Sequence, residues 1–132
     1  MATSGLGTDR SMVAGGTLTA SQYCAVTLET DGTVILANNQ GERTFGILQD
    51  DASVTINSTA GTNGCTIRIA GITKAKAGGI IACGARCTNS ATTGALETAA
   101  SGDFVIGIAL EYAASGDVFS MLIVQPETPF VT

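Results

Sequence analysis

The chain contains no histidine and no tryptophan, and only 13% of its 132 residues are charged. Each shortage removes a class of function. Without histidine there is no imidazole to act as general base or to partner a serine or cysteine nucleophile. A Ser–Lys dyad would fall to Lys74 or Lys76, but these alternate with alanines in a strand-like run and read as solvated charges that keep a sheet edge from pairing with other chains. Without tryptophan, and with two tyrosines and four phenylalanines, little aromatic platform exists for a sugar held between paired carboxylates. The six cations, Arg10, Arg43, Arg68, Lys74, Lys76 and Arg86, are scattered through a chain of net charge −5. No basic stripe is available to neutralise phosphates, so nucleic acid is not an expected partner. No apolar run approaches the roughly 20 residues that cross a bilayer as a helix. The N-terminus lacks the basic start and apolar stretch of a secretory signal. The expectation is a non-enzymatic chain, made and kept in a cytosol, with no membrane partner and no cofactor.

Metal ligands are equally thin. Cys83 and Cys87 form a C-x3-C pair, outside the C-x2-C and C-x4-C spacings of zinc sites, with no histidine to complete a set. Asp50-Asp51 and Glu29-Thr30-Asp31 could offer oxygen ligands to a hard cation. Adjacent aspartates point to opposite faces of a strand, however, and Asp31-Gly32 is accounted for as a turn, so no metal site is expected. In a reducing cytosol Cys24, Cys65, Cys83 and Cys87 are expected as free thiols. Asn57-Ser58-Thr59 matches a glycosylation sequon that a chain without a signal would not bring to the machinery. Neither Gly5-Leu6-Gly7 nor Gly78-Gly79 leads into a Lys-Ser/Thr pair and a helix, so there is no phosphate loop.

What is present is apolar and strand-like. Hydrophobic residues make up 45% of the chain, enough for one folded core, and its surface must be finished largely with Gly, Ala, Ser and Thr. Such a surface suits a protein partly covered by others. Cys24, Val26 and Leu28 alternate with Ala25, Thr27 and Glu29, and Asp31-Gly32 then precedes Thr33-Val34-Ile35-Leu36. This pattern predicts a β-hairpin with a two-residue type I′ turn. Further strands are expected at Thr44–Leu48, Ser53–Ile56, Cys65–Ile69 and, as a short bent strand, Ile80–Cys83. The runs from Phe104 to Leu110 and from Phe119 to Val124 are expected as central strands apolar on both faces. The best helical candidate, residues 95–101, allows at most two turns. The expected fold is all-β, a small antiparallel β-sandwich or barrel of about seven to nine short strands over residues 21–125. Residues 1–20, rich in Gly, Ser and Thr, are expected to form an extended N-terminal arm, mobile until bound, and residues 126–132, with Pro126 and Pro129, an extended C-terminal tail.

Phe45-Gly46-Ile47-Leu48-Gln49-Asp50 parallels Ile106-Gly107-Ile108-Ala109-Leu110-Glu111 at an offset of 61 residues. The glycine-led strands that follow, Gly64-Cys65-Thr66-Ile67-Arg68-Ile69 and Gly116-Asp117-Val118-Phe119-Ser120-Met121, match at a shorter offset. A Gly-, Ala- and Ile-rich chain can produce such a match by chance, so whether the structure is duplicated stays open.

Residues 72–124 carry a recognisable succession: Ala77-Gly78-Gly79 leading into Ile80-Ile81-Ala82-Cys83-Gly84, a Thr93-Gly94 turn, Val105-Ile106-Gly107-Ile108-Ala109-Leu110-Glu111, then Ser115-Gly116-Asp117 and a closing apolar strand. This resembles the bacteriophage capsid cement (head decoration) proteins. The doubled Gly78-Gly79 and Cys87, where a β-branched residue is usual, depart from the pattern without altering it. The resemblance implies a virion protein that binds the outside of an assembled shell as a homotrimer, with the major capsid protein as partner, and stabilises the shell against internal DNA pressure. On that reading the arm, through Leu6, Met12, Val13 and Leu18, and the loops at residues 57–63 and 88–93 meet the capsid subunits. Other phage structural modules, such as a tail or fibre domain, and a small carbohydrate- or ligand-binding β-domain are the alternatives.

Overall fold

The computed structural model of the chain describes residues 7–16, 18, 21–50, 64–125 and 128–131. Every helix or strand among them is a strand: β1 (Gly7–Ala14), β2 (Ala25–Leu28), β3 (Thr33–Leu36), β4 (Gly46–Leu48), β5 (Gly64–Lys76), β6 (Arg86–Asn89), β7 (Leu96–Thr98), β8 (Gly107–Ala109) and β9 (Val118–Ile123). The all-β class expected from the alternating runs is the class that forms. Alternation sets the faces: Cys65 and Ile67 of β5 are buried while Gly64, Thr66 and Arg68, which alternate with them, are not.

The strands close into two circuits. β1 pairs with β5, β5 with β4, β4 with β2, β2 with β3, and β3 returns to β1 in parallel. The second circuit runs from the latter half of β5 to β9, β8, β6 and β7, and returns through the parallel bridge Ala77↔Leu96. Each is a five-stranded barrel, and β5 belongs to both. Closing a sheet on itself removes the unpaired edges that a set of such short strands would otherwise expose.

The two barrels correspond strand for strand. Val26 pairs with Gly46 as Cys87 pairs with Gly107, each partner displaced by 61 residues. The Tyr23 amide donates to the Leu48 carbonyl as that of Gly84 does to Ala109, and the Phe45 amide to Val26 as that of Ile106 does to Cys87. Gly15 donates to Val34 as Gly78 does to Leu96, which makes the latter half of β5 the counterpart of β1. The repeat that the sequence leaves open is therefore a tandem duplication of structure. Gly71, at φ 91°, is the joint where one repeat ends and the next begins within a single strand. The final strands match as Ile47↔Arg68 and Ile108↔Leu122. That alignment places Cys65 with Phe119, two residues from the match read at Gly116, a shift that preserves the faces.

Equivalent positions fill equivalent interiors. Leu18, Val26, Val34, Leu48, Cys65 and Ile67 pack in the first barrel. Their counterparts Ile81, Cys87, Leu96, Ala109, Phe119 and Met121 pack in the second. Leu48 against Ala109 and Cys65 against Phe119 exchange a large side chain for a small one in opposite senses, which keeps total core volume similar. Burying a side chain such as Phe119 contributes about 2–3 kcal/mol.

Several local expectations are corrected. Residues 7–14 are not a free arm: β1 is hydrogen-bonded to β5 from Gly7↔Gly71 to Val13↔Gly64, and Ala14 and Leu18 lie in the first core. Removing residues 2–16 would take out a barrel strand. The β2–β3 loop is not a type I′ turn, since among described non-glycine residues only Tyr23 has positive φ. Gly32 sits at φ 86° and donates to Glu29, which in turn donates to Thr33, so three residues close the hairpin with the glycine last. The Asp31 carboxylate accepts from the Thr33 amide and hydroxyl at 3.0 and 2.6 Å, which fixes the turn.

Residues 80–83 form no strand: Ile81 makes one bridge to Ala113 and Ile80 is 70% exposed. Within the helical candidate, Leu96–Thr98 is β7. Lys74 and Lys76 lie on β5 paired to β9, with the Lys76 amide donating to the Tyr23 carbonyl, so they do not mark a sheet edge. β9 is apolar on both faces as expected, but Val118 and Leu122 on its outer face meet solvent. In the C-terminal tail, Phe130 exchanges backbone hydrogen bonds with Gly102 and Asp103 and lies 5.2 Å from the Arg86 guanidinium. The strand expected at residues 53–56 and the loop at 57–63 lie outside the described residues.

Two predictions follow from this packing. A Cβ on Gly46 or Gly107 would press on the carbonyl oxygen of Arg68 or Leu122 across the neighbouring strand, whereas a Cβ on Gly79 meets nothing within 4 Å. Gly46→Ala and Gly107→Ala should each cost about 2 kcal/mol in chemical denaturation, and Gly79→Ala should stay within about 0.5 kcal/mol of the parent. Arg68 clamps Asp9 of β1 through two hydrogen bonds of 2.7 and 3.1 Å, and holds its carboxyl below the ordinary 3.8. A lowered folded-state pKa stabilises above the ordinary aspartate value and loses that contribution as pH falls through the folded one. The stability difference between parent and Asp9→Asn, under about 1 kcal/mol for so exposed a pair, should be constant from about pH 5 to 8. It should shrink in melts below pH 3.8.

Candidate interaction surface

Of the four residues expected at an interface, the three described ones, Met12, Val13 and Leu18, do not present an exposed apolar patch. Leu6 lies outside the described residues. Leu18 is 2% exposed in the first core, Met12 packs against the same core from β1, and Val13 is half-buried where β1 meets both β3 and β5. The described arm residues are thus committed within the chain. A different surface emerges from how the barrels meet.

The barrels pack front to back. Ala25, Ala37 and Ile47 project from the outer face of the first barrel and are fully buried against the core of the second. The Asn39–Gly41 segment behind them closes one end of the second barrel: Asn89 Nδ2 donates to the Asn39 carbonyl at 2.7 Å, Gly41 donates to the Asn89 carbonyl, and Phe104 donates to Gly41. Farther along, the Ala25 amide donates to Gly94, and Gln49 Nε2 reaches the Thr73 hydroxyl at 2.9 Å. Tyr23 joins the contact from a left-handed backbone (φ 67°) that its counterpart Gly84 adopts without strain, and Lys74 Nζ lies 5.9 Å from its ring.

Because the contact is front to back, each barrel keeps one side of it unused. At the first barrel the open end is ringed by Leu28, Arg43, Thr44 and Phe45, which with Phe104, Val105 and Gln125 line a cavity of about 380 Å³. Leu28 is 50% exposed, while its counterpart Asn89 is fully buried. The Thr44 hydroxyl is buried with no hydrogen-bond partner among the described residues. At the second barrel the uncovered face carries Ile108, half-buried where Ile47 is fully buried, and Leu110, 42% exposed. Leu122, paired with Ile108, and Val118 continue this face along β9. Ile80 and Val131 are exposed elsewhere. The aliphatic ones, Leu28, Ile108, Leu110, Val118 and Leu122, escape a reading of the sequence because each lies in a strand-like run whose outer face is a matter of packing, not of pattern.

The residues weighed as cation ligands are engaged locally. Asp31 accepts from Thr33, and Asp50 Oδ2 accepts from the Thr66 amide at 2.7 Å; Asp51 lies outside the described residues.

No protein-family model and no curated protein sequence matches the chain. Among solved structures, the head fiber gp8.5 N base of bacteriophage phi29 aligns with 96% of this chain and 100% of its own, at a TM-score of 0.56 and 17% sequence identity. The two share a fold. At that identity the likeness is one of architecture, and it spans both barrels, since almost the whole chain is covered.

All four cysteines are free thiols: Cys24, Cys65 and Cys87 are buried and Cys83 is exposed. Burial pushes the Cys65 thiol up to about 11 and the Cys87 thiol to about 12, and raises Cys24 as well. Iodoacetamide on the native protein at pH 8 should therefore add one group, at Cys83, and four after denaturation. Native labelling at two or more sites would show that a barrel opens.

Proposed function

We propose that this chain is a structural protein of a tailed-phage virion that attaches to the outside of the assembled head and braces it, carried there as a homotrimer against the major capsid protein. The observation that carries the reading is the full-length likeness to a phage head fiber base, found independently of the cement-like succession over residues 72–124. Two further features support it. The surface offers exposed aliphatic side chains with few charges, as suits a protein covered by neighbours. Both barrels close their strands, so a protein with exposed apolar residues is protected against edge-to-edge aggregation.

The same likeness favours a second reading, in which the double barrel is the base of a fibre mounted on the head. The two differ in what is braced. A decoration protein strengthens the shell it covers, whereas a fibre base only needs to hold on.

Co-sedimentation with undecorated heads tests the attachment. Saturable binding at a fixed stoichiometry to assembled heads, with none to loose capsid subunits, is expected. Equal binding to loose subunits, or none to heads, would overturn it. Heating bare and saturated heads then separates the readings, since retention of DNA to a higher temperature on saturation marks a decoration protein.

A further inference from the structure

The two barrels provide their own comparison. The end of the second is closed by the chain itself, where the Gly41 amide donates to the Asn89 carbonyl and the Phe104 amide to Gly41. The end of the first is left as a cavity of about 380 Å³, and its residues differ in kind. Arg43 stands where the second barrel has Phe104, and Thr44 where it has Val105. We propose that this cavity binds a small molecule that carries a carboxylate on an apolar body, such as an arylalkanoic acid. The site needs neither a shell nor a second copy of the chain, so it goes beyond attachment to a head.

Thr44 carries the argument. It lines the cavity, is 8% exposed, and its hydroxyl has no hydrogen-bond partner among the described residues. Val105, its counterpart, is 5% exposed and offers only methyl groups. A buried hydroxyl without a partner costs the desolvation of that group, and a valine at the same place in the fold avoids that cost. A ligand entering the cavity supplies the partner that the chain does not.

The other polar groups select the ligand. Arg43 is the one charged side chain lining the cavity among the described residues, in a chain of net charge −5. Gln125 Nε2 uses one of its two hydrogens on the Phe45 carbonyl at 3.2 Å and has a second to give. Guanidinium, amide N–H and hydroxyl are all donors, and the group that accepts from several donors beside a cation is a carboxylate. The remaining walls are apolar: Leu28 and Phe45 from the first barrel, Phe104 and Val105 from the second. A cleft of this size, apolar with a few polar groups and set where two units meet, is the usual setting for a small-molecule site. Because both barrels supply walls, a bound ligand bridges them and stabilises the folded pair by mass action.

The test is an amide-resolved NMR titration of the full chain with 4-phenylbutyrate, alongside 4-phenylbutyramide and 4-phenylbutylamine, which share its body and differ in charge. The carboxylate should saturate with a Kd below about 1 mM. It should shift amides around Thr44 and Val105 together, and raise the Tm. The amine should not bind. Arg43→Gln should weaken the carboxylate about 10-fold or more and leave the weaker binding of the amide unchanged, since it removes a charge-assisted contact. Thr44→Val should weaken the carboxylate about 3- to 10-fold while raising the Tm of the ligand-free protein, a combination that a merely structural threonine would not give. Lys76→Gln, at the separate cavity lined by Cys24 and Gly116, should leave the affinity as it is. No saturable shift, shifts confined to one barrel, equal binding of the amine, an Arg43→Gln variant that binds as the parent does, or a Thr44→Val variant less stable than the parent would overturn the site. Attachment to heads is read separately by co-sedimentation and is independent of each of these outcomes.

Discussion

The architecture depends on one strand shared by two barrels. β5 supplies the last strand of the first barrel and the first strand of the second, turning at Gly71 where φ is 91°. Positive φ costs an L-residue about 1 kcal/mol or more and glycine little, so the hand-over can occur without a loop. A continuous strand also fixes the offset between the barrels. That offset brings Ala25, Ala37 and Ile47 onto the second core, and thereby leaves the end ringed by Leu28 and Thr44 and the face of Ile108 uncovered. The two unused sides are a geometric consequence of joining two similar barrels front to back.

Barrels this small leave little interior. Six of the described strands have only three or four residues with at most two pointing inward, and the cores are finished by residues before or after the strands, such as Leu18, Ile81 and Ile106. Gly46 and Gly107 let β4 and β8 approach the next strand more closely than any side chain permits. Duplication with exchanged core volumes shows how much latitude remains: Cys65 and Phe119 occupy equivalent places because Leu48 and Ala109 compensate. Interiors are close-packed, so such exchanges are tolerated when total volume is kept.

The low charge of the chain acquires a physical meaning from this arrangement. Charged side chains are costly to desolvate, so a barrel face that is covered by a second barrel, as at Ala25, Ala37 and Ile47, does better with small or apolar residues than with charges. Of the carboxylates near the open sides, Asp31 accepts from Thr33 and Glu111 from the Ser120 amide, so both are engaged within the chain.

Sequence alone determined the strand character, the absence of any long helix among the described residues, the burial of Cys24 and Cys65, and the 61-residue echo between Gly46 and Gly107, because these follow from local alternation, glycine spacing and residue type. It also placed Lys74 and Lys76 in a strand, though not on which side of a sheet. Tertiary structure decided the rest. The stretch holding Met12, Val13 and Leu18 lacks periodicity because β1 is exposed through most of its length and gains its stability from pairing with β5, a partner more than 50 residues away. The turn at Asp31-Gly32 was set by the register of the strands it joins. Whether an apolar run shows one face to solvent depends on what packs against it, which separates Ile47 from Ile108 although each follows a glycine within an apolar run. Local pattern specifies strands; long-range pairing and the contact between barrels specify which of their faces remain free.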